Sequence, residues 1–162
     1  MSIAIVYASK YGTTEKVATS ISEKLTGTNT VELLSLKINS FPDISGFDMV
    51  ILGSSIYAGQ ASNKMKAFCK VNEPILLQKR IDLFVCGMHI YKEEREKELK
   101  LAYSEALHEK SVVTGFMGGE FLFEKMNFFE RLIIRKIAKT KTSVHRIDWE
   151  AVADFAEKIK IE

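Results

Sequence analysis

The chain has 162 residues, of which 46% are apolar and 27% charged, with a formal net charge of +2 at neutral pH; this composition is typical of one soluble domain and lacks the basic excess of a nucleic-acid-binding protein. Cys69 and Cys86 are the only cysteines and form no C-x-x-C motif, which argues against a disulfide framework and against a metal site. No apolar run approaches the roughly 20 residues of a membrane span and no secretory signal is recognisable, so we expect a cytoplasmic protein.

The first predicted strand leads through a hydroxyl-rich turn into a helix. The apolar run 3–8 predicts a strand buried on both faces, and Val17, Ala18, Ile21 and Leu25 share one face of the helix. Free N–H groups at the start of such a helix, together with its dipole and nearby hydroxyls, suit a phosphate monoester. The alternative is an ordinary capped turn. The turn residues are Ser9, Lys10, Tyr11, Gly12, Thr13 and Thr14.

The composition of this turn excludes several other phosphate-binding loops. It contains one glycine, whereas a dinucleotide-binding G-x-G-x-x-G motif needs three and a nucleotide triphosphate loop needs G-x-x-x-x-G-K-[ST]. It also lacks the cysteine and arginine of a cysteine-dependent phosphatase. The turn therefore predicts non-covalent binding of a terminal phosphate.

Further strands and helices alternate along the rest of the chain. A partly alternating run at 31–36 predicts an edge strand, and the apolar runs 49–53 and 81–87 predict two buried strands. The segment 112–119 predicts the last strand, and Asp148 caps a final helix. Loops of small and aromatic residues follow the two buried strands. Their candidate site residues are Ser54, Ser55, Ile56, Tyr57, Ala58, Gly59, Gly87, Met88, His89 and Tyr91.

This alternation predicts a single α/β domain over residues 1–162, with a doubly wound parallel sheet and helices on both faces. In such a sheet, ligands bind outside the carboxyl ends of the strands, so the three loops should meet in one crevice. The first loop offers phosphate donors and the other two offer apolar and aromatic groups for a flat ring. Together they predict a mononucleotide-like cofactor.

The motifs S-K-Y-G-T-T, G-S-S-I-Y-A-G and C-G-M-H-I-Y resemble those of the flavodoxin family over nearly the whole chain. The resemblance implies a five-stranded sheet of order 2-1-3-4-5 that binds FMN. Residues 9–14 would then hold the phosphate, and residues 54–59 and 87–91 would flank the isoalloxazine. The flavin carries the electrons, so no side chain is expected to act as a nucleophile.

The segments 126–137 and 147–156 are similar to the menaquinone-dependent protoporphyrinogen dehydrogenases. That resemblance implies an FMN-dependent oxidoreductase that passes electrons from a porphyrinogen to a quinone. Two other classes stay open: a non-enzymatic electron carrier that docks a redox partner protein, and a flavodoxin-fold interaction module without a cofactor.

Two charged segments and one histidine have alternative interpretations. The basic, apolar stretch 126–141 could lie on an anionic membrane, which would place the protein peripherally on its inner face. The more common arrangement is a helix packed on the sheet with a solvated basic face. The run 92–98 predicts a solvated start of a helix, with a partner site as the alternative. His89 is either a proton donor to the ring or substrate, or a surface residue.

Overall fold

The computed structural model describes residues 1–161. Five parallel strands form the central sheet in the order β2-β1-β3-β5-β6, and a two-residue strand, β4, pairs antiparallel with the end of β3. Without β4, the order is the predicted 2-1-3-4-5, so the predicted fold is confirmed. The strands are β1 (Ser2–Ala8), β2 (Thr30–Ser35), β3 (Met49–Tyr57), β4 (Gln60–Ala61), β5 (Arg80–Cys86) and β6 (Thr114–Phe116).

Helices cover both faces of the sheet because the strands are apolar on both sides. Ala4 and Val6 of β1 belong to one buried cluster, while Ile3 and Ile5 belong to the other. Each fully buried valine or isoleucine side chain of this kind stabilises the fold by about 1.5–3 kcal/mol. Helices α2 (Asn63–Leu76), α3 (Lys92–Ala102) and α4 (Glu105–Lys110) pack on the first cluster, and α1 (Thr13–Leu25) and α6 (Trp149–Ile161) pack on the second.

The segment 112–119 is not one strand, as predicted, but two pieces in different sheets. β6 ends at Phe116, and Gly118 then adopts a positive φ of 67° that turns the chain out of the central sheet. A second strand, β7 (Gly118–Phe121), pairs antiparallel with β8 (Val144–Ile147). This hairpin brings residues 118–147 over the carboxyl edge of the sheet.

A short 3₁₀ helix (Phe123–Lys125) and helix α5 (Phe128–Ala138) lie between β7 and β8. A capping box begins α5, in which Asn127 and Glu130 each accept a backbone N–H from the other. Within the described chain, the one buried residue of α5 is Ile134, which packs with Phe123 and Met126 in a third cluster that Tyr57 of β3 also contacts. Helix α5 therefore packs at the carboxyl edge of the sheet, outside the two clusters that cover its faces.

Two local expectations also need adjustment. Helix α2 continues through Pro74, although a proline at that place predicts the end of a helix. Asp148 caps α6 as predicted, since its carboxylate accepts the N–H of Ala151 at 3.0 Å, but Trp149, which helical spacing predicts to face inward, is half exposed. Cys69 and Cys86 are buried and unbridged. No helix within residues 1–161 combines the length and apolarity needed to cross a membrane.

Candidate functional site

The three predicted loops emerge side by side because their strands are neighbours in register. Ala8, at the end of β1, lies opposite Ser54 of β3, and Ser55 lies opposite Cys86 at the end of β5. The turn 9–14, the segment 54–59 and the loop 87–91 therefore share one edge of the sheet. This convergence is the one that the sequence predicts. The segment 54–59 is not wholly a loop, as predicted, because β3 continues to Tyr57 and the bend follows at Ala58 and Gly59.

The turn before α1 leaves the start of the helix open to a ligand. Gly12 has a φ of 102°, a left-handed conformation that glycine adopts without strain, and its N–H donates to Ser9 Oγ at 3.0 Å. Among the described residues, no side chain caps α1. The N–H groups of its first turn therefore point to a space next to the turn, which we call the cradle.

Thr14 places a buried hydroxyl in the cradle. Its side chain is fully buried, and within residues 1–161 its oxygen has no hydrogen-bond partner of good geometry. The neighbouring group is the thiol of Cys86, a weak partner whose pKa is raised to about 12 by burial. A buried hydroxyl left in this state costs about 1–3 kcal/mol. A ligand oxygen in the cradle would remove that cost.

Charged side chains surround the cradle. Glu120 of β7 accepts hydrogen bonds from the hydroxyl of Thr13 at 2.9 Å, from Lys16 at 2.9 Å and from His145 at 2.6 Å. Burial opposes ionisation of Glu120, but these three hydrogen bonds outweigh it and lower its pKa. Lys125 lies on the other side, where its Nζ donates to the carbonyl oxygen of Tyr11 at 2.9 Å.

A contact that we call the latch joins the turn 9–14 to the start of α5. Lys10 Nζ lies 2.6 Å from Glu130 Oε1 and 4.1 Å from the centre of the Tyr57 ring. The hydrogen bond from Lys10 is the main cause that lowers the pKa of Glu130, to about 2. Burial opposes the charge of Lys10, but its hydrogen bond to Glu130 outweighs burial and helps to raise the pKa of the ammonium group. The latch is therefore ionised on both sides at neutral pH.

Next to the cradle lies a larger and mostly apolar cavity of about 320 Å³, the ring cavity. The cradle itself encloses only about 50 Å³. The two spaces share four lining residues, so they adjoin each other; we call them together the cleft, which has a polar end and an apolar end. The shared residues are Ile56, Tyr57, Met88 and Phe121.

The cleft fits a phosphate joined to a flat ring. The apolar walls of the ring cavity come from the loops after β3 and β5 and from Ile133 and Ile137 of α5. Ala58 and Gly59 both have positive φ, 49° and 72°, at the bend that forms one wall. At the narrow cradle, the side chains of Tyr11 and Tyr57 must shift to admit the chain between phosphate and ring.

Most of the predicted site residues line this cleft. Three do not: Gly12 lies behind the cradle at the start of α1, Ser54 is buried and accepts the N–H of Ser62 at 3.1 Å, and Tyr91 is 66% exposed. The residues that line it are Ser9, Lys10, Tyr11, Thr13, Thr14, Ser55, Ile56, Tyr57, Ala58, Gly59, Gly87, Met88 and His89.

The sequence patterns do not predict several other residues that line the cleft. Glu120 reaches it through the β7–β8 hairpin, and the isoleucines of α5 reach it because that hairpin folds back, so no local pattern indicates either. Glu98 also lines the ring cavity and is buried, although the run 92–98 predicts a solvated segment. Its spacing of four from the buried Ala102 is the signal that could have identified it.

Comparison with known proteins agrees with this architecture. Residues 4–148 match the family model described as "Flavodoxin domain". Flavodoxin 1 from Bacillus cereus is 17% identical with a TM-score of 0.65, over 100% of this chain and 99% of that one. A flavodoxin from Streptococcus pneumonia is 19% identical with a TM-score of 0.62, over 99% of each chain.

A third structure was solved with its ligand. The flavodoxin from Fusobacterium nucleatum bound to flavin mononucleotide is 20% identical with a TM-score of 0.53, over 70% of this chain and 68% of that one. At these identities the likeness is one of fold. No curated protein sequence matches the chain.

Proposed function

The chain belongs to the flavodoxin domain family, and from this we propose that it binds FMN, with the phosphate in the cradle and the isoalloxazine in the ring cavity. The observation that best supports the proposal is the cleft, in which open helix amides and the buried Thr14 hydroxyl lie beside a 320 Å³ apolar cavity. The solved relative from Fusobacterium nucleatum is bound to the same cofactor.

Different residues of the cleft would bind the phosphate and the ring of FMN. The first-turn amides of α1 and the hydroxyls of Ser9 and Thr14 would hold the phosphate, with Lys125 nearby to offset its charge. Tyr57, Met88 and the isoleucines of α5 would enclose the ring and exclude water. FMN bound there would supply electron transfer in single or paired steps.

We further propose that the protein is an oxidoreductase linked to a quinone or a porphyrinogen. The support is the resemblance of segments 126–137 and 147–156 to the menaquinone-dependent protoporphyrinogen dehydrogenases, together with the position of α5 as a wall of the ring cavity. The second candidate is an electron carrier that docks a redox partner protein. Exposed Ile90 and Tyr91, at the ring cavity and next to it, favour this candidate.

The test begins with the absorbance spectrum of the purified protein and a titration of the cofactor-free protein with FMN. We expect flavin absorbance and quenching of flavin fluorescence with one FMN per chain. Protein that stays colourless and binds no FMN would contradict the proposal. Turnover of a porphyrinogen or a quinone by the loaded protein alone would favour the enzyme, whereas a strict need for a partner protein would favour the carrier.

Helix α5 is proposed to place the protein on an anionic membrane. Its exposed side includes Phe128 and Phe129, which are 69% and 75% exposed. The stretch 126–141 contains five cationic residues and a single acid, Glu130, which pairs with Lys10. An apolar stripe flanked by cations has the chemistry of a helix that lies in the headgroup region of anionic lipid.

We expect the protein to sediment with vesicles that contain phosphatidylglycerol and not with vesicles of phosphatidylcholine alone. Replacing both Phe128 and Phe129 by serine should weaken binding roughly tenfold or more, because two exposed rings lose their burial in lipid. Added salt should weaken it further. The control is Phe41→Ser, which removes an exposed ring from a distant loop. Equal sedimentation of the wild type and the double variant would contradict the assignment.

A further inference from the structure

Glu98 and His89 form a titratable pair on the wall of the ring cavity, where His89 is also one of the residues expected to flank the ring. Glu98 Oε1 lies 3.5 Å from His89 Nε2, and only 6% of the Glu98 side chain is exposed. Within the described residues, Oε2 of Glu98 has no hydrogen-bond partner. A buried carboxylate oxygen without a partner, on the wall of a ligand cavity, can exchange a proton with whatever occupies that cavity.

The position of Glu98 brings it against the loop proposed for the ring. A Cβ atom built on Gly87 would lie 2.9 Å from Glu98 Oε2, so the absence of a side chain at Gly87 makes room for the carboxyl group. His89 follows in the same loop, and 46% of its side chain is exposed. The pair therefore connects the interior of the cavity to the solvent through two side chains.

The neighbouring charges act on Glu98 in opposite directions. Burial raises its pKa, the facing His89 lowers it, and Glu94 on the same helix raises it. Arg146 lines the cavity from β8, while Arg95 donates through Nε to the carbonyl oxygen of His89 at 2.6 Å and lies over the Phe116 ring. These groups leave the carboxyl group with a raised pKa, which suits a residue that must gain and lose a proton.

We propose that Glu98 is the proton-exchange group of the ring cavity and that His89 connects it to solvent. This inference rests on the proposed function with a quinone as electron acceptor. Reduction of a quinone to a hydroquinone consumes two electrons and two protons. The reduced cofactor supplies both electrons and the proton that its ring loses on oxidation, so the protein must supply one further proton. That proton leaves Glu98 to form an O–H bond on the quinone oxygen. The carboxylate then takes a proton from the His89 imidazolium, and the neutral imidazole takes one from the solvent, which restores the pair.

The test uses FMN-loaded, photoreduced protein that is mixed with a water-soluble benzoquinone between pH 5 and 8. Glu98→Gln keeps the shape of the side chain but cannot exchange a proton, so we expect oxidation to slow roughly 10²-fold and to lose its pH dependence. Glu96→Gln is the matched control, because Glu96 lies on the same helix with a 66% exposed side chain. It should behave as the wild type.

A second variant distinguishes proton transfer through Glu98 and His89, which we call the relay, from a purely structural effect. His89→Ala should also slow oxidation, and added imidazole should restore the rate because it can replace the missing ring. If FMN binds normally and Glu98→Gln oxidises at the wild-type rate, the relay is excluded while the cofactor assignment stands. If no FMN binds to the wild type, both are excluded.

A further measurement needs no cofactor. Because the folded protein raises the pKa of Glu98 above its ordinary value, its contribution to stability is greatest when it is protonated and falls as pH rises through the raised pKa. The quantity to compare is the melting temperature of the variant minus that of the wild type. We expect this difference to be more positive at pH 7 than at pH 4 for Glu98→Gln, and to be the same at both pH values for Glu96→Gln. A stability difference that does not change with pH would contradict a titrating Glu98.

Discussion

The Gly118→Ala variant is expected to lose about 3–5 kcal/mol of unfolding free energy, from backbone strain and steric overlap together. Gly118 has a φ of 67°, which side-chain-bearing residues rarely adopt. An added Cβ would lie 2.0 Å from the carbonyl oxygen of Arg146 and 2.9 Å from the backbone nitrogen of Asp148. Both are backbone atoms of the facing chain, so a rotamer change cannot relieve the overlap. Urea unfolding followed by circular dichroism measures the loss.

Gly46→Ala provides the control for this substitution. Gly46 has ordinary φ, and no atom within 4 Å of it would meet an added Cβ. We expect its stability to stay within about 0.5 kcal/mol of the wild type. The carbonyl of Gly118 also accepts the N–H of Gly87 at 2.9 Å, so the strained variant should disturb the ring cavity. A loss below 1 kcal/mol in Gly118→Ala would show that the hairpin can rearrange at little cost.

The second large effect is expected in cofactor affinity. Thr14→Val replaces a buried hydroxyl by a methyl group of similar size, and should weaken FMN binding about 10- to 100-fold, as expected for one lost hydrogen bond to a charged phosphate. Stability without FMN should stay the same or rise slightly, because the removed hydroxyl has only a weak partner in the Cys86 thiol. The dissociation constant comes from quenching of flavin fluorescence.

Thr19→Val is the matched control for the affinity measurement. Thr19 lies on the same helix, half-buried, and outside the cradle. Its substitution should leave the dissociation constant of FMN unchanged. If Thr14→Val binds FMN within twofold of the wild type, the cradle does not use that hydroxyl and the phosphate lies elsewhere.

Much of the fold could be predicted because the signals that define it are local. Ile3 to Ala8 form an unbroken apolar run since β1 is buried on both faces, and this burial pattern distinguishes central parallel strands. The end of β6 could not be predicted in this way. Gly115 to Gly119 are apolar or small and resemble a continuous strand, whereas the pairing of Gly118 with Ile147 depends on residues that are distant in sequence.

In the candidate site, too, the local motifs could be predicted and the contacts between distant segments could not. The turn and the two loops are local motifs that follow strand ends, and parallel strands bring such ends together. Glu98 belongs to a run of charged residues whose other members are exposed or only partly buried, and its position on the inner face of α3 buries it. Glu120 and the isoleucines of α5 join the cleft through the β7–β8 hairpin, so their roles depend on tertiary structure alone.

The latch between Lys10 and Glu130 couples anion binding at the cradle to the position of α5. Lys10 is one residue from the predicted phosphate donor Ser9, and the same ammonium group fixes the first turn of α5. An anion that attracts Lys10 toward the cradle would weaken its ion pair with Glu130 and so its hold on α5. Conversely, a surface that binds α5 and moves it outward would release Lys10 from that ion pair. By linkage, the two equilibria shift each other by the same factor. Cofactor occupancy would then be communicated to the far side of the helix without any change in the central sheet.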